Sequence, residues 1–167
     1  MKTQYLLVIL LFTLSACGFH LRGSQQRSAA IVVSKVYVVN AGASTVTPIV
    51  KSQLAGAGAT AVKSAAKAEY TLTLEREYFE QTVLSVSATT GKVEEYQITL
   101  TLYMSVVDAK GLELLVGEPI RSVRDYTFDE DAVLGKFAEE QVLREELSRQ
   151  AAAEILRRFN TATSSNK

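Results

Sequence analysis

From Val93 to Val107 apolar and polar positions alternate: Tyr96, Ile98, Leu100, Leu102, Met104 and Val106 face one way, Gln97, Thr99, Thr101, Tyr103 and Ser105 the other. Period two predicts a strand with one buried and one wet face. Glu69 to Phe79 repeats the pattern, with Tyr70, Leu72, Leu74 and Tyr78 opposed to Thr71, Thr73, Glu75 and Glu77. The intervening Gln81 to Lys92 ends in Thr89-Thr90-Gly91-Lys92, a turn that makes the two strands a long antiparallel hairpin. Asp108-Ala109-Lys110-Gly111 then turns into a strand from Leu112 to Phe128, where Pro119 marks an edge position or an interruption.

The flanking segments read differently. Ile31 to Val39 (IVVSKVYVV) is dense in β-branched residues and stops at Asn40-Ala41-Gly42, as expected of a central strand apolar on both faces. Val46, Ile49, Val50 and Leu54 then recur at helical spacing, with Ser44, Thr45 and Thr47 as N-cap candidates, Pro48 in the first turn, and Gly56 and Gly58 at the end. Ala59 to Ala68 is a weakly patterned connection with a brief strand at Thr60 to Val62. Asp129-Glu130-Asp131 opens a long last helix in an orientation its dipole favours. Its apolar stripe is Leu143, Leu147, Ala151, Ile155, Leu156 and Phe159, and Glu140/Arg144, Glu145/Arg149 and Glu154/Arg158 are pairs four residues apart in the favourable order. Thr161 to Lys167 reads as a polar tail. The predicted fold class is α+β: a two-layer sandwich with both helices on one face of a roughly four-stranded, mostly antiparallel sheet, its Thr/Gln/Ser face left free.

The first residues change the picture by placing this domain at a membrane. Lys2 precedes an apolar run, Tyr5 to Leu14, of about ten residues, whereas spanning a bilayer takes about 20. Residues 1–16 are therefore expected to be a removable signal peptide. Leu14-Ser15-Ala16-Cys17 resembles a bacterial lipobox, which makes Cys17 the first mature residue, carrying N-acyl and S-diacylglycerol lipid. Two or three acyl chains anchor stably where one holds only marginally. Gly18 after the cysteine, by resemblance to sorted lipoproteins, favours the outer membrane, facing the periplasm. Residues 17–30 form the lipidated cysteine and tether, 31–160 a single domain and 161–167 the tail.

Composition mostly excludes. With 167 residues there is room for one compact domain, and one Cys and one His cannot build a Cys/His zinc cluster or a disulfide framework. His20, on the tether, has no acidic neighbour and makes a poor general base. Glu94/Glu95, Glu139/Glu140 and Glu145/Glu146 are adjacent acids that point to opposite faces of a strand or lie on a solvated helix surface, which does not suit glycosidase chemistry. No phosphate-cradling Gly-rich loop opens a helix. Binding or scaffolding without turnover, and without a cofactor or metal, is the expected class. Charge is uneven: Gly18 to Ala68 holds six basic residues and no acidic one, Glu69 to Lys167 eleven basic and eighteen acidic. The basic portion either meets anionic head groups near the anchor or docks on the acidic half within the fold. The zero net balance and the extracytoplasmic address argue against nucleic acid.

At Ala16 to Gly23 the string Ala-Cys-Gly-Phe-His-Leu-Arg-Gly closely resembles the start of the LptE family of lipopolysaccharide-assembly lipoproteins. The similarity continues through Lys51-Ser52-Gln53-Leu54, Glu95-Tyr96-Gln97, Arg124-Asp125-Tyr126-Thr127-Phe128-Asp129 and the last helix, covering most of Cys17 to Phe159, without the long polar C-terminal extension of some members. The resemblance implies a plug-like partner of LptD, the outer-membrane β-barrel through which lipopolysaccharide reaches the cell surface, that assists barrel assembly and binds lipopolysaccharide. It also implies glycolipid contact at a basic residue early in the last helix, here Lys136, and at the central hairpin tip, here Thr89 to Lys92. Where some members carry Arg at the tip this chain has Thr89, with Lys92 the nearest cation. Arg121 and Arg124 are further candidates, weighed against pairing with Asp125 or Asp129. The alternative function is an auxiliary periplasmic lipoprotein of another lipid-transport system; a lipid-anchored hydrolase lacks its base.

Overall fold

The computed structural model describes residues 35–128 and 133–165, the side chains of 133–138 excepted. The expected signal peptide, Cys17, the tether, residues 31–34 of the first strand and the Asp129-Glu130-Asp131 helix start lie outside the described residues. The elements are β1 (Lys35–Ala41), α1 (Val46–Gly56), β2 (Thr60–Ala61), a single 3-10 turn (Ala65–Lys67), β3 (Tyr70–Val86), β4 (Val93–Asp108), β5 (Glu113–Thr127) and α2 (Val133–Ser164). The last helix thus continues past Thr161, where a polar tail was expected. Thr163 is buried there, and its hydroxyl donates to the Phe159 carbonyl at 3.0 Å, so the polar side chain is satisfied within the helix.

The α+β class and the one-sided layering are as expected; the sheet differs in detail. It has five strands in the order β2-β1-β3-β4-β5 and is mixed, because β1 runs parallel to both β2 and β3 while β3, β4 and β5 are antiparallel. Helix α1 serves as the crossover between β1 and its parallel neighbour β2, a connection that a hairpin cannot make. On β4 the alternation holds as predicted: Ile98, Leu100, Leu102, Met104 and Val106 are fully buried. They pack with Val36 and Val38 of β1, Val46, Val50 and Leu54 of α1, and Leu147, Ala151, Ile155 and Phe159 of α2. Removing this much apolar surface from water is the main stabilising term. Phe159 meets Tyr70 edge to face at 6.1 Å between ring centres.

Strand β3 departs from strict alternation. Glu75 pairs with Tyr103 but Tyr78 with Thr101, so β3 carries one extra residue, and Arg76 sits in the left-handed region at φ +52°. After this bulge the faces exchange. Tyr78, expected beside Tyr70, Leu72 and Leu74, is 48% exposed on the helix-free face, and Phe79 takes its place under α2. Gly42, at φ +100°, accommodates the bulge: a Cβ there would stand 3.4 Å from the Arg76 backbone nitrogen, and its carbonyl accepts the Glu77 N–H at 2.8 Å.

The same bulge caps α1. No Ser or Thr side chain caps that helix; the Glu77 carboxylate accepts the backbone N–H groups of Thr45 and Val46, each at 3.1 Å. A carboxylate at this end satisfies otherwise unpaired donors and complements the helix dipole. Asn40 Oδ1 holds the approach, accepting from Gly42 N at 3.1 Å and Ala43 N at 2.8 Å.

Candidate functional site

Beyond Ala41 the sheet loses β1, and β3, β4 and β5 continue as a three-stranded blade. Helix α2 follows it. Its C-terminal part carries Phe159 against Tyr70 at the start of β3, and fifteen residues earlier the Arg144 guanidinium lies 4.6 Å above the Phe79 ring. The helix therefore points its N-terminus toward the hairpin tip. Lys136, eight residues before Arg144, lies about 12 Å further along the axis at about 1.5 Å per residue. Its side chain is outside the described residues; its place in the helix is toward the tip end of the blade.

The tip is an amphiphilic surface. Val83, Leu84 and Val86 are exposed, at 52%, 47% and 55%. Past them the turn is held by its own backbone: Ser87 N donates to Lys92 O at 2.7 Å and Gly91 N to Ser87 O at 2.9 Å. Thr89 is exposed, its hydroxyl 3.2 Å from that of Ser87. Lys92 is exposed at the return of the turn. Thr89 and Lys92 lie in the turn itself, whereas Lys136 lies on α2 toward the same end of the blade but short of the turn, since the ten residues from Phe79 to Thr89 extend about 33 Å at about 3.3 Å per residue. The apolar component comes from Thr82-Val83-Leu84-Ser85-Val86, which the sequence places between the two hairpin strands and which the structure adds to β3, with Val83, Leu84 and Val86 left without a packing partner in the core.

The two strand arginines are not brought together. Arg124 shares the helix face with Ile98 and forms an ion pair with Glu146 of α2 at 2.5 Å. Arg121 pairs with Thr101 on the opposite face, and no ion pair engages it among the described residues. The expected pairing of these arginines with Asp125 does not form; Asp125 Oδ1 accepts from Gln97 Nε2 at 2.9 Å. Behind the blade, Tyr96 stacks on Tyr126 at 5.8 Å and meets Phe128 edge-on at 5.2 Å. Burial, followed by the nearby Glu140 charge, pushes the Tyr126 phenol up from its ordinary value.

Along α2 neighbouring charges are matched locally. The three predicted helix pairs form, Glu140–Arg144 at 2.7 Å, Glu145–Arg149 at 3.6 Å and Glu154–Arg158 at 2.7 Å. At the end of the molecule far from the tip, Leu114, Leu115 and Ala162 line a groove of about 440 Å³ with Glu118 and Arg158, themselves paired at 3.7 Å. Among the described residues no group of three or more His, Cys, Asp or Glu could hold a metal ion, and no helix is long and apolar enough to cross a membrane.

The two-layer fold recurs in solved structures of bacterial lipoproteins. The chain is similar to the uncharacterized lipoprotein B of Nitrosomonas europaea in its solution structure, with TM-score 0.73 and 27% identity over 88% of this chain and 93% of that one. It is also similar to the rare lipoprotein B of Shewanella oneidensis, with TM-score 0.69 and 25% identity over 80% of this chain and 98% of that one. A minor lipoprotein of Acinetobacter baumannii, 20% identical with TM-score 0.64 over 78% of this chain and 93% of that one, shares the fold. A search of curated proteins finds no match. The LptE model, described as lipopolysaccharide-assembly, matches residues 33–159, and the chain belongs to the LptE family. That family is one of non-enzymatic assembly lipoproteins that depend on no cofactor.

Proposed function

We propose that this lipoprotein plugs and helps to assemble the LptD β-barrel and binds lipopolysaccharide on its way to the cell surface. Family membership supports a role in lipopolysaccharide assembly. The observation that carries the finer reading is the tip of the hairpin. Exposed Val83, Leu84 and Val86 adjoin the Thr89 to Lys92 turn, at the end of the blade toward which Lys136 also lies. Such a surface offers apolar contact to acyl chains and point charges to the phosphates of lipid A or core. The helix-free face, with Thr71, Thr73, Thr101 and Ser105 around Tyr37 and Tyr103, suits the polar interior of an outer-membrane barrel. Lipid on Cys17 would hold the domain at the periplasmic side of the outer membrane.

The test is to solubilise outer membranes in mild detergent, capture C-terminally tagged full-length protein and identify what co-purifies. A single large β-barrel at about one to one supports the plug. Recovery of the protein alone, or with an inner-membrane transporter, would move the reading to an auxiliary lipoprotein of another lipid-transport system. Lys136→Glu is expected to weaken lipopolysaccharide binding while leaving barrel association intact; unchanged glycolipid binding removes Lys136 from the site.

A further inference from the structure

Most of the described arginines are paired with a carboxylate. Arg124 pairs with Glu146, Arg144 with Glu140, Arg149 with Glu145, and Arg157 and Arg158 both with Glu154. Arg76 and Arg121 are exposed, and among the described residues neither guanidinium takes part in an ion pair or a hydrogen bond. Both lie on the helix-free face of the sheet.

The bulge in β3 puts Arg76 there. In an unbroken strand the residue after Glu75 would point to the helix side. With its backbone at φ +52°, Arg76 instead lays its guanidinium over the Tyr103 ring, 4.1 Å from the ring centre. Stacking fixes the plane of a guanidinium and leaves its N–H edge free to meet an acceptor. Arg121 comes from the other side: the register sets Tyr78, Thr101 and Arg121 abreast across β3, β4 and β5, a row about 10 Å wide at about 4.8 Å between strands. The next row toward the base sets Glu75 beside Tyr103, and the next toward the tip sets Glu80 beside Thr99. The cationic row is thus bounded on β3 by a carboxylate before it and another after it.

Shape decides the occupant. Sites for small ligands are concave, whereas a pleated sheet face has no walls. Tyr and Arg are the residue types that carry most binding energy at protein interfaces, and Tyr78 is 48% exposed. Two guanidinium edges without acceptors suit carboxylates, which Arg grips with two parallel hydrogen bonds. Glu75 and Glu80 repel a carboxylate displaced by one row in either direction, so repulsion as well as attraction sets the register.

We infer that Arg76 and Arg121 are the docking anchors of the helix-free face, seated against Asp or Glu side chains of a protein wall that runs along β3, β4 and β5. The inference rests on the barrel reading, since the wall it names is the inner surface of the barrel, and it adds what fixes the rotation of the plug in the pore. It uses neither the hairpin tip nor lipid.

Full-length tagged protein, captured from outer membranes in mild detergent, supplies the test. Arg121→Glu lowers barrel recovery, Arg76→Glu combined with Arg121→Glu lowers it by about tenfold or more, and Arg121→Lys lowers it less than Arg121→Glu. Lipopolysaccharide binding by the purified variants stays at the wild-type level. Urea unfolding of Arg121→Glu, whose side chain supports nothing in the core, confirms that it is folded. p-Benzoylphenylalanine placed at Tyr78 is expected to cross-link to the barrel in membranes. If wild-type protein captures the barrel at about one to one and Arg121→Glu captures it equally well, the anchors are overturned and the plug stands. If wild-type protein captures no barrel, the plug reading fails and the anchors with it. Cross-linking from Tyr78 to lipopolysaccharide, or loss of lipopolysaccharide binding in Arg121→Glu, overturns the protein occupant in favour of a glycolipid phosphate.

Discussion

The Glu77 carboxylate caps the helix that begins at Val46, accepting its backbone N–H at 3.1 Å from thirty-one residues away in the chain. The bulge at Arg76 makes this possible, because an unbroken strand would have kept Glu77 on the face it shares with Thr71, Thr73 and Glu75. Glu77→Ala is expected to lower unfolding stability by about 1 to 2 kcal/mol, as loss of an N-cap does, and Glu77→Gln by less. Urea unfolding of the three proteins measures it. A loss no larger than that of a neutral surface change would mean that water replaces the cap.

Glu154 lies between two arginines, receiving Arg157 Nε at 2.7 Å and Arg158 Nε at 2.7 Å. The hydrogen bond from Arg157, against an opposing effect of burial, holds its carboxyl at about 2, below its ordinary 4.5. A carboxyl depressed in the folded state stabilises above its unfolded value, and that stability disappears as pH falls from 4.5 toward 2. Arg157 is largely exposed, so solvent screens the pair and the contribution is small. Glu154→Gln is expected to flatten the stability profile in that window and leave its shape above pH 5 unchanged, as seen by denaturant unfolding at stepped pH.

The exposed side chains of the tip support nothing in the core. Val83→Ser, Leu84→Ser and Val86→Ser combined are expected to change stability little, each substitution by within about 0.5 kcal/mol. Lipopolysaccharide affinity falls if acyl chains rest there. Binding assays with lipopolysaccharide and with its delipidated saccharide separate the apolar contact from the phosphate contact: only the intact glycolipid should lose affinity.

Arg124 and Arg121 are three residues apart and on opposite faces. Arg124→Ala breaks the pair with Glu146 and is expected to cost about 0.5 kcal/mol, the usual range for a half-exposed pair. Arg121→Ala should leave the unfolding midpoint in place. Thermal unfolding of both variants distinguishes them, and equal shifts would contradict the assignment of faces.

Phe159 anchors α2 in the core beside Tyr70. Phe159→Ala is expected to destabilise by about 3 to 5 kcal/mol through lost burial and the cavity left behind. Equilibrium unfolding provides the number; a loss below about 1 kcal/mol would mean that the helix repacks around the gap.

Periodicity alone determined the elements that bury one face along their whole length. Ile98 to Val106 on β4 and Leu143 to Phe159 on α2 stand where alternation and helical spacing put them, and the helix pairs at Glu140, Glu145 and Glu154 form because their partners are local. Family membership, too, was legible, in motifs spread along the chain. What the tertiary structure decided depends on contacts between distant residues. The β3 bulge leaves no glycine or proline mark at Arg76, since its left-handed backbone is compensated by Gly42 and by the guanidinium stacked 4.1 Å from the Tyr103 ring. The helix cap came from Glu77, not from Ser44 or Thr45, and the parallel placement of β1 beside β3 required the crossover through α1. That α2 starts toward the tip end of the blade follows from the direction of a helix anchored at Phe159. Local sequence encodes what each segment can bury; only the packed sheet determines which distant groups meet.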